Sequence, residues 1–268
     1  MANNTTDKSN YRKRNTPRSK KGTAAQKRGR VRVALKRANP RQERGLPYQE
    51  RLGKRSGIVL WRVDGAYIRT NIDEEFSDYG HHYTYPYIPK GEFWVDQNTP
   101  EETEFFVRHM LTEYRLMEQG KSQDDAREQA DQVEAEERRK AGDVERVRGE
   151  NKLADPEKVH LRLLKKLETP VSVWIVNGRL VRSVFDQDFT EGGHEHVYEY
   201  VPGNEVWIDD QVTDQERPYV ILHELHERNL MEKGWDYDAA HADSSKLEKH
   251  MRHHPEELHQ ALSNEGWE

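Results

Sequence analysis

Val173-Trp174-Ile175-Val176-Asn177-Gly178-Arg179-Leu180-Val181-Arg182 decides how this chain is read, because its key residues occur twice. At a shift of 113 residues, Trp61, Val63, Gly65, Arg69, Asp73 and Phe76 fall on Trp174, Val176, Gly178, Arg182, Asp186 and Phe189. Gly80, His81, Tyr85, Tyr87, Pro89, Glu92, Trp94 and Asp96 fall on Gly193, His194, Tyr198, Tyr200, Pro202, Glu205, Trp207 and Asp209. One inserted residue near Ile221 raises the shift to 114. His109, Leu111, Glu113, Leu116, Met117 and Gly120 then meet His223, Leu225, Glu227, Leu230, Met231 and Gly234. Agreement at roughly a third of positions, in order and with one gap, reads as an internal duplication.

Within the quoted stretch, four apolar residues precede Asn177-Gly178, a dipeptide that tolerates the positive φ of a type I′ turn. The pattern predicts a hairpin, 173–176 turning into 179–182, with Asp64-Gly65 at the same place in the first copy. A second strand pair is expected at 197–201 and 205–208, matched by 83–88 and 92–95. Two helices follow, at 217–233 and 236–251, with Gly234 ending the first and Asp236 capping the second. Their counterparts are 101–119 and 122–140, capped by Ser122. The expected class is α+β: two tandem copies of a unit with about four short antiparallel strands followed by a helical hairpin.

The whole chain of 268 residues carries a net charge of −6, which hides two opposed parts. Residues 1–58 hold 18 Lys/Arg against Asp7, Glu43 and Glu50, near +15, while the rest holds 25 basic and 46 acidic residues, near −21. Between Met1 and Arg30 the only sizeable apolar side chain after Met1 is Tyr11, too little to offset the entropy of ordering. The expected division is a disordered basic arm at 1–58, copy one at 59–140, and a linker at 141–170 with a short helix from Lys158 to Leu167. Copy two follows at 171–254, and a C-terminal tail at 255–268. Clusters such as Arg12-Lys13-Arg14 suit neutralisation of phosphates, so nucleic acid is the partner expected for residues 1–58. Without cysteine, disulfides and Cys-based zinc sites are excluded. The longest apolar run, residues 171–176, is far below the roughly 20 that span a bilayer. No signal-peptide core follows Met1, so an intracellular, soluble protein of cytoplasm or virion interior is expected, with no membrane partner and an oligomeric state left open.

On a helix His223, Glu227, Leu230 and Met231 share one inward stripe, and His109, Glu113, Leu116 and Met117 repeat it. Ionisable groups on a buried stripe need partners, which leaves two readings. Each His–Glu pair is a core hydrogen bond, or it holds a metal with imidazole and carboxylate one turn apart. The second helix distinguishes the copies. His241 and Glu248 share a face in copy two, with the small Ala240 and Ser244 beside them, whereas copy one carries Arg127 at the His241 position. The expected metal ligands are therefore His223, Glu227, His241 and Glu248, around a divalent ion, zinc first among the candidates, with Arg127 pairing with Glu113 in the degenerate copy.

His223-Glu224-Leu225-His226-Glu227 resembles the His-Glu-x-x-His helix of zinc metallopeptidases, with Glu227 in place of the second His. The resemblance covers five residues and implies that Glu224 is the general base for metal-bound water; copy one has Met110 there. His194 and His81 read as hydrogen bonders at a strand start, and His226 as surface. Trp94, Trp207 and the strand tyrosines read as sheet core, and the cluster of His250, His253, His254 and His259 as a solvated patch. Two functions follow as expectations: a divalent-metal-dependent hydrolase seated in copy two, or a structural or packaging protein whose arm binds nucleic acid.

Overall fold

The repeated Trp–x–Val segment is an inner sheet strand whose successor is a helix. The structure, a computed structural model, describes residues 45–151 and 153–267. It is mixed α+β, with two four-stranded sheets, each followed by helices. In the first sheet β1 (Tyr48–Arg55) pairs antiparallel with β2 (Ile58–Val63). β2 runs parallel to β4 (Glu92–Asp96), and β3 (Tyr79–His81) closes the far edge antiparallel to β4. The second sheet contains β5 (His160–Lys166), β6 (Ser172–Val176), β7 (Gly192–His194) and β8 (Glu205–Asp209). Its order, β5-β6-β8-β7, corresponds to β1-β2-β4-β3 of the first, and Trp61↔Trp94 and Trp174↔Trp207 are register partners in the two parallel pairs.

The expected hairpin at Asn177-Gly178 is replaced by a helix start. The Asn177 side chain accepts a hydrogen bond from the Leu180 backbone N–H at 2.9 Å, capping α5 (Gly178–Val184). Asp64 does the same for Tyr67 at 3.0 Å, capping α1 (Gly65–Asn71). Asn and Asp are good N-caps as well as good turn formers, so the dipeptide alone does not separate the two. The glycines serve close approach: a Cβ on Gly178 would stand 1.9 Å from Asp209 Oδ2, and one on Gly65 1.7 Å from Asp96 Oδ2.

Three other expectations change. Residues 83–88 and 197–201 are turns, and the four strands of each sheet are not all antiparallel, because the helix after β2 or β6 carries the chain to a parallel partner. The segment from Lys158 to Leu167 is mainly β5 rather than a helix. Within the arm expected at 1–58, β1 is ordered; residues 1–44 lie outside the described residues. The helical pairs fall where expected. They are α2 (Thr103–Glu118) with α3 (Gln123–Lys140), and, beyond the short α4 (Asp143–Val147), α6 (Arg217–Glu232) with α7 (Tyr237–His253). Ser122 and Asp236 cap α3 and α7 as expected. The expected tail contains α8 (Leu258–Asn264), whose Ala261 and Leu262 join the core formed by β6, β8 and α6.

Buried arginines fasten the two sheet units to each other. Arg182 of α5 reaches Asp209 at 2.5 Å within its own unit and, through Nε, Glu102 of the other unit at 3.1 Å. Arg69 of α1 reaches Asp96 at 3.2 Å within its unit, and Glu191 and Glu216 of the other at 3.1 and 3.5 Å. Arg138 and Arg252 complete the arrangement from α3 and α7, binding Glu102 at 2.5 Å and Glu216 at 2.9 Å. Asp78 lies 3.8 Å from Arg182 and is crowded by Asp209, Glu102 and Asp96. Burial, only partly answered by Arg182, pushes its carboxyl up to about 8. The folded protein thus holds a proton on Asp78 that the unfolded chain releases, so stability is lost as pH rises from about 4 to about 8. Asp78→Asn does not titrate there. Its Tm relative to the parent should rise between about pH 5 and pH 8.5 in paired thermal melts; a constant difference would mean that Asp78 is ionised beside Arg182.

Candidate metal centre

α6 and α7 pack closely because Ala240 and Ser244 are fully buried at their contact. This brings the inward stripe of α6 against His241. His223 Nε2 lies 3.3 Å from His241 Nδ1 and 3.6 Å from a Glu227 oxygen, Oε2, which is 2.7 Å from His241 Nδ1. Donor separations of about 3.3 Å are the edges of a tetrahedron with bonds of about 2.0 Å; the two distances from His223 are near this, while the 2.7 Å between Glu227 and His241 is a hydrogen bond. The three expected ligands His223, Glu227 and His241 are thus together. The fourth, Glu248, lies on the other side of His223, its carboxylate 2.8 Å from Nδ1. There it would orient the ring as an outer carboxylate orients a ligating histidine. Arg252 fixes Glu248 in turn, at 2.8 Å.

His194 belongs to the same cluster. β7 places its Nε2 3.1 Å from Glu227 Oε1, so the two oxygens of Glu227 face different histidines. Glu224 stands on the His194 side, with one oxygen within 4.8 Å of donors of both His194 and Glu227. It is 9% exposed and forms no hydrogen bond or ion pair among the described residues. A Cβ on Gly192 would lie 2.9 Å from the Glu224 side chain, so glycine makes the room that this carboxylate occupies. His194, expected as a hydrogen bonder at a strand, is carried by β7 and has Glu227 as its partner. The pairing of a local Gly192/Glu224 change with the retained His was the available signal.

Electrostatics divide the cluster sharply. Burial opposes charge on His223, yet hydrogen bonds to Glu227 and Glu248 outweigh it and hold the ring well above the ordinary imidazole range. His241 is raised to about 9 against burial, chiefly by its hydrogen bond to Glu227. Burial also opposes ionisation of Glu227 and Glu248. Hydrogen bonds from His194, His223 and His241 hold Glu227 far below the usual carboxylate range, and His223 and Arg252 bring Glu248 down to about 2. Burial lowers His194 and pushes Glu224 up to about 8. Without a metal, two imidazolium rings therefore supply the positive charge beside Glu227, in the place a divalent cation would fill.

The first unit keeps a reduced version. His81 Nε2 is 3.0 Å from Glu113, His109 Nε2 is 3.8 Å from the same carboxylate, and His109 Nδ1 is 3.0 Å from Glu134. Arg127 does not pair with Glu113; it reaches Asp188 of the other unit at 2.7 Å. His241 faces Glu75 of the first unit at 3.6 Å. Met110 and Tyr79 occupy the positions of Glu224 and Gly192, with Tyr79 stacked on Phe106 at 4.5 Å. His226, expected at the surface, is half-buried and pins α8 and α7 through Glu265 at 2.7 Å and Asp243 at 3.1 Å. His250, His253, His254 and His259 are exposed, as expected.

Comparison with known protein families, with curated proteins and with solved structures finds no match to this chain. The site therefore rests on its own geometry. Gly192→Ala should cost about 1–3 kcal/mol in urea unfolding, the range for forcing a methyl group into a packed interior. An unchanged midpoint would show that Glu224 has free space to withdraw.

Proposed function

We propose that the second unit is a divalent-metal centre of hydrolase type and that the first is its duplicated, structural counterpart. The observation that carries this reading is the convergence of His223, Glu227 and His241 from two helices, with donor atoms all within 4.8 Å of one another. Glu248 behind His223 adds the outer carboxylate such ligands commonly have. Two imidazoles and a carboxylate suit zinc, with manganese or iron as alternatives of the same donor preference. Three protein ligands leave a position for water, whose pKa a bound metal lowers towards 7. His241, with a side chain 34% exposed, marks the open edge of the cluster. Glu224, next to His223 in sequence, is the carboxylate proposed as general base; it stands on the His194 side of Glu227, so in that role it serves water on that side of the centre.

Elemental analysis of the full chain, purified without chelator, tests this directly. At least one zinc, manganese or iron per chain is expected, lost in the His223→Ala/His241→Ala double variant. Glu224→Gln should retain metal at these two histidines while hydrolysis, screened on ester, amide and phosphate-ester substrates, falls by about 10²–10⁴-fold. Metal-free protein that also fails to bind added zinc would leave the His–Glu pairs as core hydrogen bonds.

The division of charge supports a second reading, a structural or packaging protein that contacts nucleic acid through the basic arm. Eighteen Lys/Arg against three acids in residues 1–58 are what phosphate neutralisation uses, and the acidic remainder discourages non-specific contact elsewhere. Removing residues 1–44, which leaves β1 intact, should abolish binding to DNA or RNA whose affinity falls steeply with salt. Equal binding by full-length and truncated protein at low salt would end this reading.

A further inference from the structure

The metal reading above places one cation against one oxygen of Glu227, yet the cluster is built on both. Oε2 faces His241 and His223, while Oε1 faces His194 at 3.1 Å on the opposite side. On that side stands Glu224, a buried carboxylate with no hydrogen bond or ion pair among the described residues. A single cation at His223 and His241 would leave it without a hydrogen-bond or ion-pair partner among the described residues. The Glu224 oxygen, a Glu227 oxygen and a His194 nitrogen nevertheless lie within 4.8 Å of one another, near enough together to form a second set of three ligands.

Resting on the proposed metal centre, we infer that it takes two divalent cations, with Glu227 as the bridging carboxylate. The first is held by His223, His241 and Glu227 Oε2, the second by His194, Glu224 and Glu227 Oε1. The first unit shows which residues the second position adds. It keeps the His81–Glu113 contact at 3.0 Å, so a histidine on the glutamate's far side is compatible with a purely structural core. It lacks the additional donor, because Met110 and Tyr79 stand where the second unit has Glu224 and Gly192. Where the first unit has two large apolar or aromatic groups, the second has a carboxylate and the space to hold it. Bridged cations about 3.5–4 Å apart are the arrangement that polarises a substrate and its attacking water together, which fits Glu224 to the hydrolytic centre as a ligand in place of a base.

Stoichiometry decides between these roles. Full-length protein stripped by chelator and dialysed is titrated with Mn²⁺ by calorimetry at about pH 8 and followed by electron paramagnetic resonance. Two ions per chain with a spin-coupled signal are expected in the parent, and one ion with an isolated signal in Glu224→Gln. Glu224→Met, which installs the residue the first unit carries, is a second variant and should also bind one ion. A parent that binds a single, uncoupled ion overturns the second position while leaving the first centre standing, with Glu224 as its base. A parent that binds none removes both.

Discussion

Two arginines, Arg69 and Arg182, hold the molecule together, each projecting from the short helix after an inner strand into the opposite unit. Each is almost wholly buried and meets an aspartate of its own sheet and a glutamate that precedes the long helix of the other. A buried guanidinium is tolerable only when several carboxylates surround it, and losing one partner leaves the others uncompensated, at a cost of several kcal/mol. Neither unit supplies enough partners alone. The requirement explains local features that otherwise look unrelated. Gly65 and Gly178 start their helices because a side chain there would collide with Asp96 or Asp209, the aspartates that receive the arginines. Fixed-fork donors matching carboxylates across the contact make lysine a poor substitute at either position.

The same network extends into the candidate centre. From Arg69 it continues through Glu216 to Arg252, from Arg252 to Glu248 at 2.8 Å, and from Glu248 to His223 at 2.8 Å. The counterpart runs from Arg182 through Glu102 and Arg138 to Glu134 and His109. Each inward histidine is thus oriented by a carboxylate that an arginine fixes, and that arginine shares its glutamate with the opposite unit. The ring geometry at His223 depends on the contact between units as well as on α6 and α7. This is how a short, charged chain with a modest apolar fraction places a histidine accurately: buried ionic chains replace part of the packing that a larger core would provide.

The helical pairs, their caps and the grouping of His223, Glu227 and His241 were legible in the sequence, because each depends on spacing along one element or between two adjacent ones. The sheets were less so. Asn177-Gly178 and Asp64-Gly65 satisfy a turn and a helix cap equally well, and the deciding contact, with Asp209 or Asp96, comes from a strand about 30 residues away. β1 and β5 were missed because they are edge strands rich in charge, with burial only at scattered positions. Glu248 shares a face of α7 with His241, but its carboxylate meets His223 Nδ1 whereas His241 and Glu227 lie at Nε2, a distinction that a helical wheel does not carry. His194 was set aside since repetition in both units favours a structural role, and its repetition is real. What changed around it, Gly192 and Glu224, lies on different elements.

That local change bears most directly on why the two units differ. Both keep a glutamate between two inward histidines, so this triad is compatible with serving as a core hydrogen-bonded cluster and needs no metal to explain it. The second unit departs from the first at three places that converge on that glutamate: His241 for Arg127, Glu224 for Met110 and Gly192 for Tyr79. These introduce a donor on each side of Glu227 and remove bulk beside one of them. The proposed second cation rests on the Glu224 carboxyl, which has no hydrogen bond among the described residues and stands beside Glu227 and His194. Arg127 supports the same direction from the other unit. It reaches Asp188 of the other unit and leaves Glu113 to its two histidines.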